Sequence, residues 1–182
     1  MYELIENSFY TVLQDYPDCV IDYCILKDDV PYLGEESHRK AINSGMEKCS
    51  SKVNGGWEFD INKAHFTEIQ ADIIFECPEK TEPQNFVDEK IPYWYAFLHP
   101  PHDTGFVIID GIKLRDKYSK DDFERVNKSL FPDGTDNLIV YEWSTDWSEY
   151  FEPGHEWWGV KCLSIYDVSS DRYVVIMASA TD

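Results

Sequence analysis

Histidine beside glutamate is a pair that can move a proton or hold a metal, and the chain carries one at His155-Glu156. The stretch His155-Glu156-Trp157-Trp158-Gly159 invites comparison with the zinc-protease helix motif His-Glu-x-x-His. That motif needs a second histidine four residues on, because positions i and i+4 share a helix face and grip the metal together. Gly159 occupies that position here. His99-Pro100-Pro101-His102-Asp103 is the other histidine pair. A polyproline stretch turns once every three residues, so the two imidazoles would project to one side, roughly 9 Å apart along the axis. A set of His99, His102 and His155 is thus the alternative metal site, and a small hydrolase using His155 and Glu156 with His99 or His102 is the alternative function. Glu142, Asp146, Glu149, Glu152 and Glu156 also offer carboxylate pairs of the kind glycosidases use.

Other chemistries lack their residues. There is no Gly-x-Ser-x-Gly elbow and no Cys–His signature. There is no Gly-x-Gly-x-x-Gly and no Gly-Lys-Ser or Gly-Lys-Thr to cradle phosphates. The leading expectation is therefore a non-catalytic protein with no cofactor and no metal.

The densest feature is residues 141–158, where seven of eighteen residues are aromatic, five are acidic and none is lysine or arginine. Large rings anchor interfaces as well as cores. Rings interleaved with carboxylates suit a cationic partner, since arginine and lysine stack on the one and pair with the other. Trp143, Asp146, Trp147, Glu149, Glu152, His155, Glu156, Trp157 and Trp158 are the candidate binding residues. The plain alternative is a loop whose rings fold back onto a sheet.

Charge points the same way. Lysine plus arginine number 16 and aspartate plus glutamate 35 over 182 residues, a net charge of −19. Nucleic-acid binding depends on cations neutralising phosphates. The densest basic stretch, Lys113 to Lys120, is broken by Asp116. Nucleic acid and anionic membrane surfaces are therefore not expected as partners, whereas a basic protein is. No apolar run approaches a membrane span, and the acidic Met1 to Glu6 lacks the positive region of a secretion signal. Five scattered cysteines, none in Cys-x-x-Cys, fit buried thiols in a reducing cytoplasm.

These residues need elements to hold them. Periodicity predicts a helix over 2–15, a strand over 19–26, a helix over 35–48 and a turn at Asn54-Gly55-Gly56. It predicts short strands over 57–61 and 105–110, a half-buried strand over 69–77 and an aromatic strand over 91–98. Ser119 caps a helix running to Leu130 and Phe131, helped by Asp121 and Asp122. Residues 138–143 form a strand, and 160–167 with 172–179 a hairpin whose second strand is covered on both faces. The length fits one domain over 1–182, with a possible join between halves at 78–90. Strands and helices mix without regular alternation, which predicts an α+β fold, a mainly antiparallel sheet flanked by two or three helices.

Trp143-Ser144-Thr145-Asp146-Trp147, Gly154-His155-Glu156-Trp157-Trp158-Gly159 and Ala178-Ser179-Ala180-Thr181-Asp182 together resemble a C-terminal segment of an uncharacterised bacterial protein family. In size, acidity and lack of catalytic motifs the whole chain resembles small acidic immunity proteins that neutralise bacterial toxins. That resemblance is one of type and carries no residues across. It implies a module that docks a basic protein partner.

Overall fold

Runs of β-branched and aromatic residues make the sheet, and the most apolar of them make its centre. A computed structural model describes residues 1–79, 90–101, 106–109, 112–116 and 118–180. Its main sheet has six strands: β1 (Tyr2–Glu3), β2 (Asp22–Lys27), β3 (Phe66–Ile69), β6 (Leu138–Trp143), β7 (Val160–Asp167) and β8 (Arg172–Ser179). They lie in the order β1-β2-β8-β7-β6-β3, and every pairing is antiparallel. A separate antiparallel ribbon joins β4 (Phe106–Ile109) to β5 (Ile112–Asp116). The six strands come from both sides of the 78–90 stretch, most of which lies outside the described residues.

β7 and β8 sit at the centre and are buried along almost their whole length. The reason is that helices cover both faces. On one face α1 (Ser8–Leu13), α4 (Tyr93–Leu98) and α5 (Lys120–Leu130) pack Phe9, Tyr93, Phe97 and Phe123 against Ile25, Ile165 and Ile176. On the other, α2 (Glu35–Ser51) packs Ala41, Ile42 and Met46 against Cys24, Val175 and Met177. Successive strand residues point to opposite faces, so each central strand feeds both cores. The α+β class and the antiparallel sheet are as the sequence predicts.

Local chemistry sets the ends. Ser119 and Asp122 form a reciprocal capping box at the start of α5. Gly45 lets α2 lie close on the sheet: a Cβ there would sit 2.9 Å from Val175 Cγ1. At the β7–β8 turn, Asp167 accepts from the Ser169 and Ser170 amides and pairs with Arg172 at 3.2 Å.

Four expectations are corrected. Residues 69–77 are not a half-buried strand. The strand ends at Ile69 and α3 (Ala71–Phe75) follows. Ala71 and Phe75 are both two-apart repeats and an i, i+4 pair, and the helical spacing is the one that puts both against the core. Residues 91–98 are not a strand either. Pro92 opens α4, and Tyr93 and Phe97 share a helix face, a pattern that a continuous apolar run conceals. Residues 57–61 contribute only a bridge, Phe59 to Ser148, before a 3-10 turn at Ile61–Lys63. The helix expected over 2–15 shortens to α1, capped by Asn7, because Tyr2 and Glu3 pair with β2.

Candidate functional site

Beyond β6 the chain turns through Ser144–Ser148 and meets the segment 57–65 running the other way. The Ser144 amide donates to the His65 carbonyl (2.7 Å), the Asp60 amide to the Trp147 carbonyl (2.9 Å) and the Glu149 amide to the Glu58 carbonyl (3.0 Å). The Glu149 carboxylate accepts from the Glu58 amide at 2.9 Å. A 3-10 turn capped by Ser148 then leads into α6 (Glu152–Trp157). Gly154 is required there, since a Cβ would stand 2.4 Å from the Gly159 carbonyl oxygen.

This zipper brings Glu58, Asp60, Asp146, Glu149 and Glu152 around a cleft of about 390 Å³, with Trp147, Thr145 and His155 also lining it. Glu58, Asp146, Glu149 and Glu152 are exposed and Asp60 is half-buried. Water therefore screens the repulsion among them. The Ser144 side chain hydrogen-bonds to Asp146 and, with the nearby His65 and His155, holds its carboxyl below the usual carboxylate range. His155 Nε2 lies 3.1 Å from Thr145 Oγ1. Among the described residues one lysine, Lys63, lines the cleft, with Nζ 3.9 Å from Asp60.

The rings do not join the carboxylates at the surface. Trp143 is 0% exposed and Trp147 3%, so the expectation that they anchor a partner is corrected. Trp143 points toward α2, donates from Nε1 to Ser164 Oγ (2.8 Å) and lies under the Arg39 guanidinium. Trp147 donates from Nε1 to the Ser144 carbonyl at 2.6 Å. The physical division is simple: rings gain by leaving water, and unpaired carboxylates lose. Trp158 is half-buried, its Nε1 donating to the His99 carbonyl at 2.9 Å. The Trp157 side chain lies outside what is described. Glu156 is exposed and does not line the cleft.

Of the alternative catalytic set, the cleft takes in His155 but neither Glu156 nor His99. His155 lines it, whereas His99 is 2% exposed and packs on Tyr95 and Trp94. His102 lies outside the described residues. Among the described residues no three His, Cys, Asp or Glu side chains are grouped to hold a metal, and all five cysteines are free. No helix among them is long and apolar enough to cross a membrane.

Reading the sequence does not find Glu58 and Asp60, which reach the site only through pairing with 144–149 across some ninety positions. Their local signal, acids flanking Phe59, is too common to mark a site. Comparison with protein-family models, with curated proteins and with solved structures finds no match.

Proposed function

We propose that the protein is a non-catalytic binding module, of the kind immunity proteins represent, that docks a basic protein through the acidic cleft. A cytoplasmic setting fits its free thiols. The observation that carries the reading is the convergence of five carboxylates from two distant segments on one cleft with a single lysine in its lining among the described residues. A cation entering the cleft meets carboxylates on both walls. The net charge of −19 adds a long-range field that draws it in. Recognition here is by charge and by hydrogen bonds to carboxylate, not by stacking on Trp143 or Trp147.

A fluorescent nona-arginine peptide tests it. The full chain should bind, and the double variant Asp146→Lys/Glu152→Lys should bind at least roughly tenfold more weakly, a loss of about 1.4 kcal/mol. A control, Glu6→Lys/Asp133→Lys, makes the same change in net charge at exposed positions outside the cleft. Binding should also weaken steeply between about 10 mM and about 1 M salt, as the screening length falls from about 30 to about 3 Å. If the control loses as much affinity as the cleft variant, the cleft is not the docking site.

A further inference from the structure

A lysine is rarely buried, and β7 buries one near its start. Lys161 is 5% exposed, in a strand whose other residues are mostly apolar. It shares a sheet face with Leu163 and Ile165, the face covered by α3 and α4. On the neighbouring strand β6, Glu142 occupies the same face, and its carboxylate takes the Lys161 Nζ at 2.6 Å. Both line a pocket of about 530 Å³ that shares no lining residue with the acidic cleft.

Apolar and aromatic side chains make up most of the remaining lining, among them Ile69, Ile74, Pro92, Tyr93 and Trp94. Ile73, 62% exposed, stands at its mouth. Two further charges face it, Glu76 after α3 and Lys90 before α4. Lys90 is held by a parallel bridge to Val160, the residue before Lys161. The same link sets the Ile91 amide 3.0 Å from the Val160 carbonyl. The backbone of a second lysine is thereby set beside the start of β7, with its side chain exposed.

A buried ion pair of this kind is weak evidence for stability, because removing two charges from water offsets most of their attraction. It is stronger evidence for chemistry when it opens on a cavity with apolar walls and few polar groups. Burial holds the Lys161 ammonium below the ordinary lysine range against the opposing pull of Glu142, and Lys90 pushes in the same direction as burial. A lysine desolvated beside another cation is the arrangement that turns an amine into a nucleophile.

We propose that this pocket captures a small aldehyde or ketone with an apolar body, and that Lys161 condenses with its carbonyl carbon as an imine. Glu142 takes the proton from the ammonium across the 2.6 Å contact. The freed nitrogen lone pair forms the C–N bond, and the carbonyl π pair moves to oxygen. That oxygen takes up the protons released by nitrogen, one of them by way of Glu142, and leaves as water while the C=N bond forms. One carbonyl compound and one amine give one imine and one water, with no oxidant or reductant. The apolar walls hold the body of the ligand, and Lys90 and Glu76 remain at the pocket for polar substituents.

Reductive trapping tests the proposal on the full wild-type chain. Benzaldehyde and cyanoborohydride at neutral pH, followed by peptide mapping, should label Lys161 at least roughly tenfold faster than Lys63, whose side chain is 71% exposed. An ordinary buried lysine would react more slowly than Lys63, so Lys161 labelling no faster than Lys63 overturns the proposal. Glu142→Gln should slow labelling of Lys161 and leave Lys63 unchanged; labelling of Lys161 as fast as or faster than in the wild type would show that losing the carboxylate only frees the amine, and would remove Glu142 from the mechanism and sink the assignment. The wild-type comparison needs no variant to fold.

Discussion

His38 on α2 sets its Nδ1 2.7 Å from the Ser164 hydroxyl on β7, tying the helix to the middle of the sheet. Tyr32 reaches the other ring nitrogen at 3.2 Å, Trp143 donates to the same Ser164 oxygen at 2.8 Å, and the imidazole stacks on Tyr141 with centroids 4.0 Å apart. Both His38 and Ser164 are 0% exposed. The pair resembles a base beside a nucleophile in composition, but no solvent or substrate reaches it, and its work is structural.

Burial pushes the pKa of His38 down to about 4 from an ordinary value of 6.5. The unfolded chain binds a proton at His38 below about pH 6.5, and the folded one resists until about pH 4. Stability from this residue is therefore present above pH 6.5 and falls as pH drops toward 4, by on the order of 3 kcal/mol in all. Denaturant midpoints at several pH values should show this loss in the wild type and a shallower slope in His38→Gln. The slope is the readout, because the Gln variant also loses packing at every pH. Equal slopes would mean that His38 titrates normally in the folded state.

Gly45 is a contest between helix propensity and space. Alanine in a helix interior gains about 1 kcal/mol over glycine. At this position its Cβ would meet Val175 Cγ1 at 2.9 Å, against a strand that cannot move without disturbing both cores. We expect Gly45→Ala to destabilise by about 1–3 kcal/mol. In a Val175→Ala background, where the space exists, the same substitution should be neutral or stabilising. Chemical denaturation of the four proteins of the cycle measures the coupling, and simple additivity would show that the contact is not what matters.

Trp147 and Asp146 are neighbours in sequence and opposites in role. Trp147→Ala should cost about 3–5 kcal/mol, as for any large core ring. Asp146→Lys, at an exposed position, should change stability by no more than about 0.5 kcal/mol while weakening the binding of a cationic peptide. Melting curves and peptide titrations on both variants check the pair together. A Trp147→Ala protein of near wild-type stability would show that the ring is not core.

The amino-acid sequence by itself determined the fold class, the β7–β8 hairpin, the α5 start at Ser119 and the net charge of −19. These rest on signals confined to a few neighbours: a period, a capping residue, a turn, a sum of charges. It misread 69–77 and 91–98, because short apolar runs satisfy the strand and helix periods alike until something packs against them. Only the tertiary structure decided which side of water each residue of 141–158 takes. The alternation of β6 sends Trp143 inward, the pairing with 57–65 brings Glu58 and Asp60 to Asp146, and the cross-strand diagonal joins Lys161 to Glu142. Contacts of that range depend on sheet order and register, and no local pattern encodes either.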